Sequence, residues 1–162
     1  MREIKHSALI AQPPRRVFEI INDIERYPEF LPWCTHAKVI SKTDKEVVAT
    51  VGVRKGPLNG EFTTRNELDP DKRIVMRLVS GPFRQLEGEW TLTPIGATAA
   101  GGESAVIGTP PPLPGQATGC RVELTMKFAF KNPLTAALFE QKFAETMTSL
   151  VDAFVARARA TA

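Results

Sequence analysis

Cysteine, histidine and tyrosine are scarce in this 162-residue chain, which has two, two and one of them respectively. Cys34 and Cys120 stand far apart, so neither a disulfide framework nor a cysteine-based metal site is expected. A reducing, intracellular setting fits that usage. No phosphate loop, zinc spacing or dinucleotide fingerprint occurs. No run approaches the ~20 apolar residues of a membrane span, and the opening MREIKHSALIAQPP lacks the apolar stretch of a signal peptide. Membrane contact is therefore expected to be transient and peripheral, with the protein cytoplasmic and at most peripheral at the inner membrane. Neither sign of charge dominates: 21 Lys and Arg stand against 18 Asp and Glu, for a net charge of +3. Such mild basicity suits an anionic membrane surface or RNA and demonstrates neither; no DNA partner is expected.

The chain does have the composition of a globular protein, 43% hydrophobic and 24% charged. Its length suits a single domain over residues 1–162. Ile4, His6, Ala8 and Ile10 alternate with polar residues and predict a strand. Pro13 and Pro14 then open a helix in which Val17, Ile20, Ile21 and Ile24 recur at helical spacing, running to about Asp23 or beyond. The stretch Tyr27–Cys34, YPEFLPWC, holds two prolines and is expected to be irregular. From Trp33 onward the period becomes two, over six segments that end with Cys120, Val122, Leu124, Met126, Phe128 and Phe130. Turns are expected at Lys42–Lys45, Gly56–Asn59, Asp69–Lys72 and Gly81–Pro82. Between Ile95 and Gly119 the composition falls to Gly, Ala, Pro, Ser and Thr, predicting a flexible loop insertion at 96–118. The final segment, Pro133 to about Arg159, carries an apolar stripe from Leu138 to Val155 and is capped by Asn132.

One dry face over so many strands means an antiparallel meander that covers something, and the last helix is long enough to cross it. Met76, Trp90, Met126, Phe128 and Phe130 line the sheet wall of that sandwich; Phe139, Phe143 and Met147 line the helix wall. Met and Phe suit an adaptable site for an oily ligand, but periodicity alone does not distinguish a hollow interior from a filled one. Thr64 and Asn66 share the inward face with Phe62 and Leu68. They are either donors to a ligand head or partners of each other, of water or of the Tyr27–Cys34 loop. Tyr27, Phe30, Leu31 and Trp33 form either an entrance wall touching the membrane or a plug under the last helix. Phe83 sits at a hairpin tip, at the same mouth or merely in a tight turn. Thr63–Arg65 and Arg84 are expected on a solvated, basic surface. His6 reads as a satisfied core residue. Cys34 and His36 share an outward strand face with no third orienting group, so no catalytic pair is expected.

Four motifs carry a family resemblance: VFEIINDIERYPEFLPWC (Val17 to Cys34), GEFTTRNEL (Gly60 to Leu68), LVSGPFRQLEGEWTLTP (Leu78 to Pro94) and FAFKNPL (Phe128 to Leu134). Together they resemble the coenzyme Q-binding, START-like family of the polyketide cyclase and lipid transport superfamily. The resemblance covers the chain outside the 96–118 insertion. It implies an α+β helix-grip (START/Bet v 1-like) fold, a curved antiparallel sheet wrapped around a long C-terminal helix. It further implies a carrier of ubiquinone or a similar isoprenoid that supports respiration, with no enzymatic activity and no other cofactor. A bacterial branch implies an alternative, interference with ribosomal subunit association through the large ribosomal subunit. Polyketide-processing members imply a third, an aromatase or cyclase, which needs acid–base groups inside the cavity.

Overall fold

The alternating segments join into one seven-stranded antiparallel sheet in a computed structural model that describes residues 2–56, 58–95 and 119–160. The insertion expected at 96–118 lies outside the described residues. Strand β1 (Arg2–Ile10) is followed by helix α1 (Pro14–Asn22), a 3₁₀ turn (Ile24–Arg26) and the one-turn helix α2 (Tyr27–Phe30). Strands β2 (Cys34–Lys42), β3 (Glu46–Lys55), β4 (Leu58–Asp69), β5 (Arg73–Ser80), β6 (Phe83–Ile95) and β7 (Gly119–Phe130) follow, then the long helix α3 (Pro133–Ala160). The order across the sheet is β1-β7-β6-β5-β4-β3-β2. The first strand thus pairs with the last, in a register that sets Ile4 beside Met126 and Ile10 beside Cys120.

Turn chemistry explains the tight hairpins. Gly56 has φ +60° and Asp71 φ +65°, conformations that glycine adopts freely and aspartate tolerates. Gly81 has φ +147°, and a Cβ there would come within 2.8 Å of the Phe62 Cβ, so the β5–β6 turn excludes larger residues twice over. Pro14 occupies the first turn of α1, where its missing N–H costs nothing. The Asn132 Oδ1 accepts from the Leu134 N–H at 2.8 Å and so starts α3. The 28 residues of α3 span about 42 Å. Its stripe of Phe143, Met147, Val151, Phe154 and Ala158 is buried, with the helix packed against β1, β7 and α1. This is the helix-grip arrangement that the resemblance implied.

Four expectations are corrected. Tyr27–Phe30 is helical, because Pro28 falls in the first turn, where no hydrogen bond is lost. Cys34 and His36 do not share a face: a bulge between Cys34 and Ala37 turns Cys34 into the core, while His36 stays outside, 2.8 Å from Glu61. His6 is only partly buried and meets Asp152 of α3 at 3.3 Å. Thr63 is not solvated; it is buried on the outer face and shares a 2.6 Å hydrogen bond with Thr50.

Candidate functional site

The expected site residues form two groups along α3. Phe143 is the centre of the first. Its ring lies 4.7 Å from that of Phe128, 5.0 Å from Phe83 and 6.0 Å from Phe62, with Phe130 at 6.1 Å. Phe139 reaches the same group through Phe130, at 6.5 Å. Eleven residues on, about 16 Å along the helix axis, Phe154 is the centre of the second. Trp90 stands 5.3 Å from it, Tyr27 5.5 Å and Phe30 5.6 Å. Tyr27 and Phe30 therefore pack under the last helix. Leu31 and Trp33 are buried beyond them, and the Trp33 carbonyl accepts from the Arg54 N–H at 2.8 Å.

Between the two groups the sheet wall is softer. The methyl ends of Met76 and Met126 converge over Gly88, where a Cβ would meet them at 2.7 and 3.3 Å. Met147 is buried opposite, on α3. Unbranched thioethers can change rotamer around a guest without leaving gaps. On the same inner face Thr64 and Asn66 are each only 7% exposed, and the Thr64 hydroxyl donates to Asn66 Oδ1 at 2.8 Å. The pair satisfies the asparagine carbonyl. The Asn66 amide nitrogen, with two donor hydrogens, has no further partner among the described residues.

The void next to the first group is apolar and measures about 60 Å³; it lies among Val53, Leu58, Phe62, Pro82, Phe139 and Phe143. A larger groove of about 580 Å³ runs beside the α1–α2 segment, its wall mostly charged, with Arg16, Glu19, Asp23 and Arg26 set around Phe18, Ile20 and Phe30. That charged lining does not suit an oily guest. Arg157 closes that side, 3.1 Å from Glu29 and over the Phe30 ring at 4.9 Å. Sequence reasoning passed over Phe154 as a site residue, although its spacing of three turns from Phe143 is the signal that both share one face. It also passed over Val53, Leu58 and Pro82, whose roles depend on where two hairpins end in space.

The inner groups that titrate are neutral at physiological pH. Burial raises the Tyr27 hydroxyl far above its usual range, helped by the nearby Cys34 and Asp23, and that hydroxyl donates to the Ile21 carbonyl. Burial also pushes the Cys34 thiol up to about 11 and Cys120 to about 12, with backbone hydrogen bonds opposing it more weakly. Folded pKa values above the unfolded one mean that the thiols' contribution to stability is complete below about pH 8.5 and is lost as pH rises through about 11 to about 12. Both thiols are expected to resist an aromatic disulfide reagent near pH ~8 and to react once the chain is unfolded in denaturant. Labelling of the native protein at the rate of free cysteine would contradict this burial. Among the described residues no cluster of His, Cys, Asp or Glu is placed to hold a metal ion, and no helix is long and apolar enough to cross a membrane.

Comparison with known proteins agrees with this geometry. The Zhui aromatase/cyclase from Streptomyces sp. R1128 superposes with a TM-score of 0.75 at 18% identity, over 98% of this chain and 93% of that one, a likeness of fold. The ribosome association toxin RatA of Pseudomonas aeruginosa is 35% identical over 156 residues, 96% of this chain and 94% of that protein. A mitochondrial coenzyme Q-binding protein COQ10 homolog B from Xenopus laevis is 23% identical over 94% of this chain and 56% of its own length. The family described as polyketide cyclase / dehydrase and lipid transport matches residues 10–155. A helix laid across a curled sheet, oily on both walls and matched over almost its whole length, makes this chain a member of the polyketide cyclase/dehydrase and lipid transport family.

Proposed function

We propose that this protein holds a hydrophobic molecule whose head accepts hydrogen bonds, a polyprenyl quinone such as ubiquinone, and carries it unchanged in support of respiration. The observation that carries this reading is the Thr64–Asn66 pair on an otherwise dry wall, with the Asn66 amide donors left over. A quinone carbonyl is an uncharged acceptor and matches a neutral amide donor better than a cation. Each buried CH₂ of an isoprenoid tail contributes about 0.8 kcal/mol, so the two aromatic groups and the three methionines can supply most of the affinity. A void of about 60 Å³ does not hold such a tail; uptake requires the first half of α3 to lift from the sheet, with Phe139 and Phe143 moving aside. The named coenzyme Q-binding relative supports the same ligand class.

Lipid extraction and native mass spectrometry of the purified protein test the proposal. A co-purifying isoprenoid, or saturable binding of added quinone, is expected. Asn66→Leu should weaken binding about 5- to 10-fold by removing the head's donor. Absence of both would sink the carrier reading. A second reading, association with the large ribosomal subunit, is favoured by the 35% identity to a protein named for ribosome association. It requires salt-sensitive co-sedimentation with ribosomal particles, and unchanged polysome profiles on overexpression would argue against it.

A further inference from the structure

The geometry points to a lipid-docking face at the start of α3, formed with the β3–β4 and β5–β6 turns, that seats this end of the molecule on an anionic bilayer. The inference rests on the carrier reading and gives it an entry side, at the end of α3 opposite the Tyr27–Phe30 segment.

Leu134 and Leu138 are 75% and 65% exposed, and a spacing of four places them on one helix face. Both belong to the first two turns of the helix that supplies Phe139 and Phe143 to the apolar void. Cations stand on the elements that adjoin this part of α3. Lys131 follows β7, and its N–H donates to the Pro82 carbonyl at 3.0 Å. The Lys142 side chain packs beside Gly56. Arg54 and Lys55 end β3, paired with Asn59 and Leu58, and Arg84 follows the buried Phe83. None of these five makes an ion pair among the described residues. Two carboxylates at this end are engaged: Glu61 lies 2.8 Å from His36 and Glu140 3.7 Å from Arg2.

Exposed leucines with unpaired cations on the adjoining elements suit a bilayer interface, where the apolar face enters the acyl boundary and the basic groups meet anionic headgroups. A phosphodiester backbone would use the cations but leave the leucines in contact with charge. The apolar void opens between the same elements, so a guest could pass from the bilayer into the protein without crossing water.

Flotation of the full chain with vesicles tests the face. Binding is expected to phosphatidylcholine vesicles containing phosphatidylglycerol and not to phosphatidylcholine alone. Each of Lys131→Glu and Lys142→Glu should lower the partition coefficient about fivefold or more. The double change Leu134→Gln with Leu138→Gln, at solvent-facing positions, should lower it roughly tenfold or more, while Lys38→Glu on the far edge strand should leave it unchanged. Equal binding by the leucine variant and the parent, or no vesicle binding by the folded protein, would overturn the proposal. So would salt-sensitive binding to ribosomal RNA in place of vesicles. Vesicle binding without quinone uptake would sink the carrier reading alone; quinone uptake from detergent without vesicle binding would sink this face alone.

Discussion

Replacing Phe143 with alanine is expected to destabilise the protein by about 3–5 kcal/mol, the cost of emptying a buried aromatic site. Phe143 is 1% exposed and its ring meets those of Phe62, Phe83, Phe128 and Phe130. The neighbours come from three strands of the sheet, so no single element can collapse into the space. A chain of this size should lose roughly 6–20 °C in Tm, at about 2–4 °C per kcal/mol. The hole would enlarge the existing void of about 60 Å³ beside it, and an apolar cavity of that kind stays dry and binds small aromatic molecules. Thermal denaturation with and without benzene would show both effects. A loss below about 1 kcal/mol, well short of the expected cost, or no rescue by benzene, would mean that α3 does not press on the sheet as described.

Thr64→Val should cost about 1–3 kcal/mol, because it leaves Asn66 Oδ1 buried without the 2.8 Å hydrogen bond it now accepts. Asn66→Leu should cost a similar amount by stranding the Thr64 hydroxyl. The double variant should be closer to the parent than the sum of the singles, since two apolar side chains leave no polar atom unsatisfied. Urea denaturation of the four proteins closes this cycle. Additive costs would mean that the two side chains do not act as a pair. Quinone affinity separates the structural role from the functional one: it should fall with Asn66 in either background, even where stability has been recovered.

The resemblance and the alternation of period two led to the same sheet, and much of it was legible because burial on one face leaves a periodic trace in the residues themselves. The hairpin turns were legible for a related reason, since Gly56 and Gly81 adopt backbone angles that few other residues tolerate. The Cys34–His36 geometry was not, because a bulge adds a residue without changing composition, and every position before it changes face. The short helix at Tyr27 was hidden by two prolines, of which only Pro32 interrupts it.

From its own pattern the chain determined which side chains face inward, including Thr64 and Asn66, and that one long amphipathic helix must cover them. Only the tertiary structure decided that these two bond to each other and that the aromatic residues divide between Phe143 and Phe154. It also placed the apolar void beside the start of α3 rather than beside the proline-kinked segment. Inward or outward is a local property, set by solvent and read one residue at a time. Which inward residues meet depends on strand register, sheet curl and the seat of the helix, which arise from contacts between residues far apart in the chain.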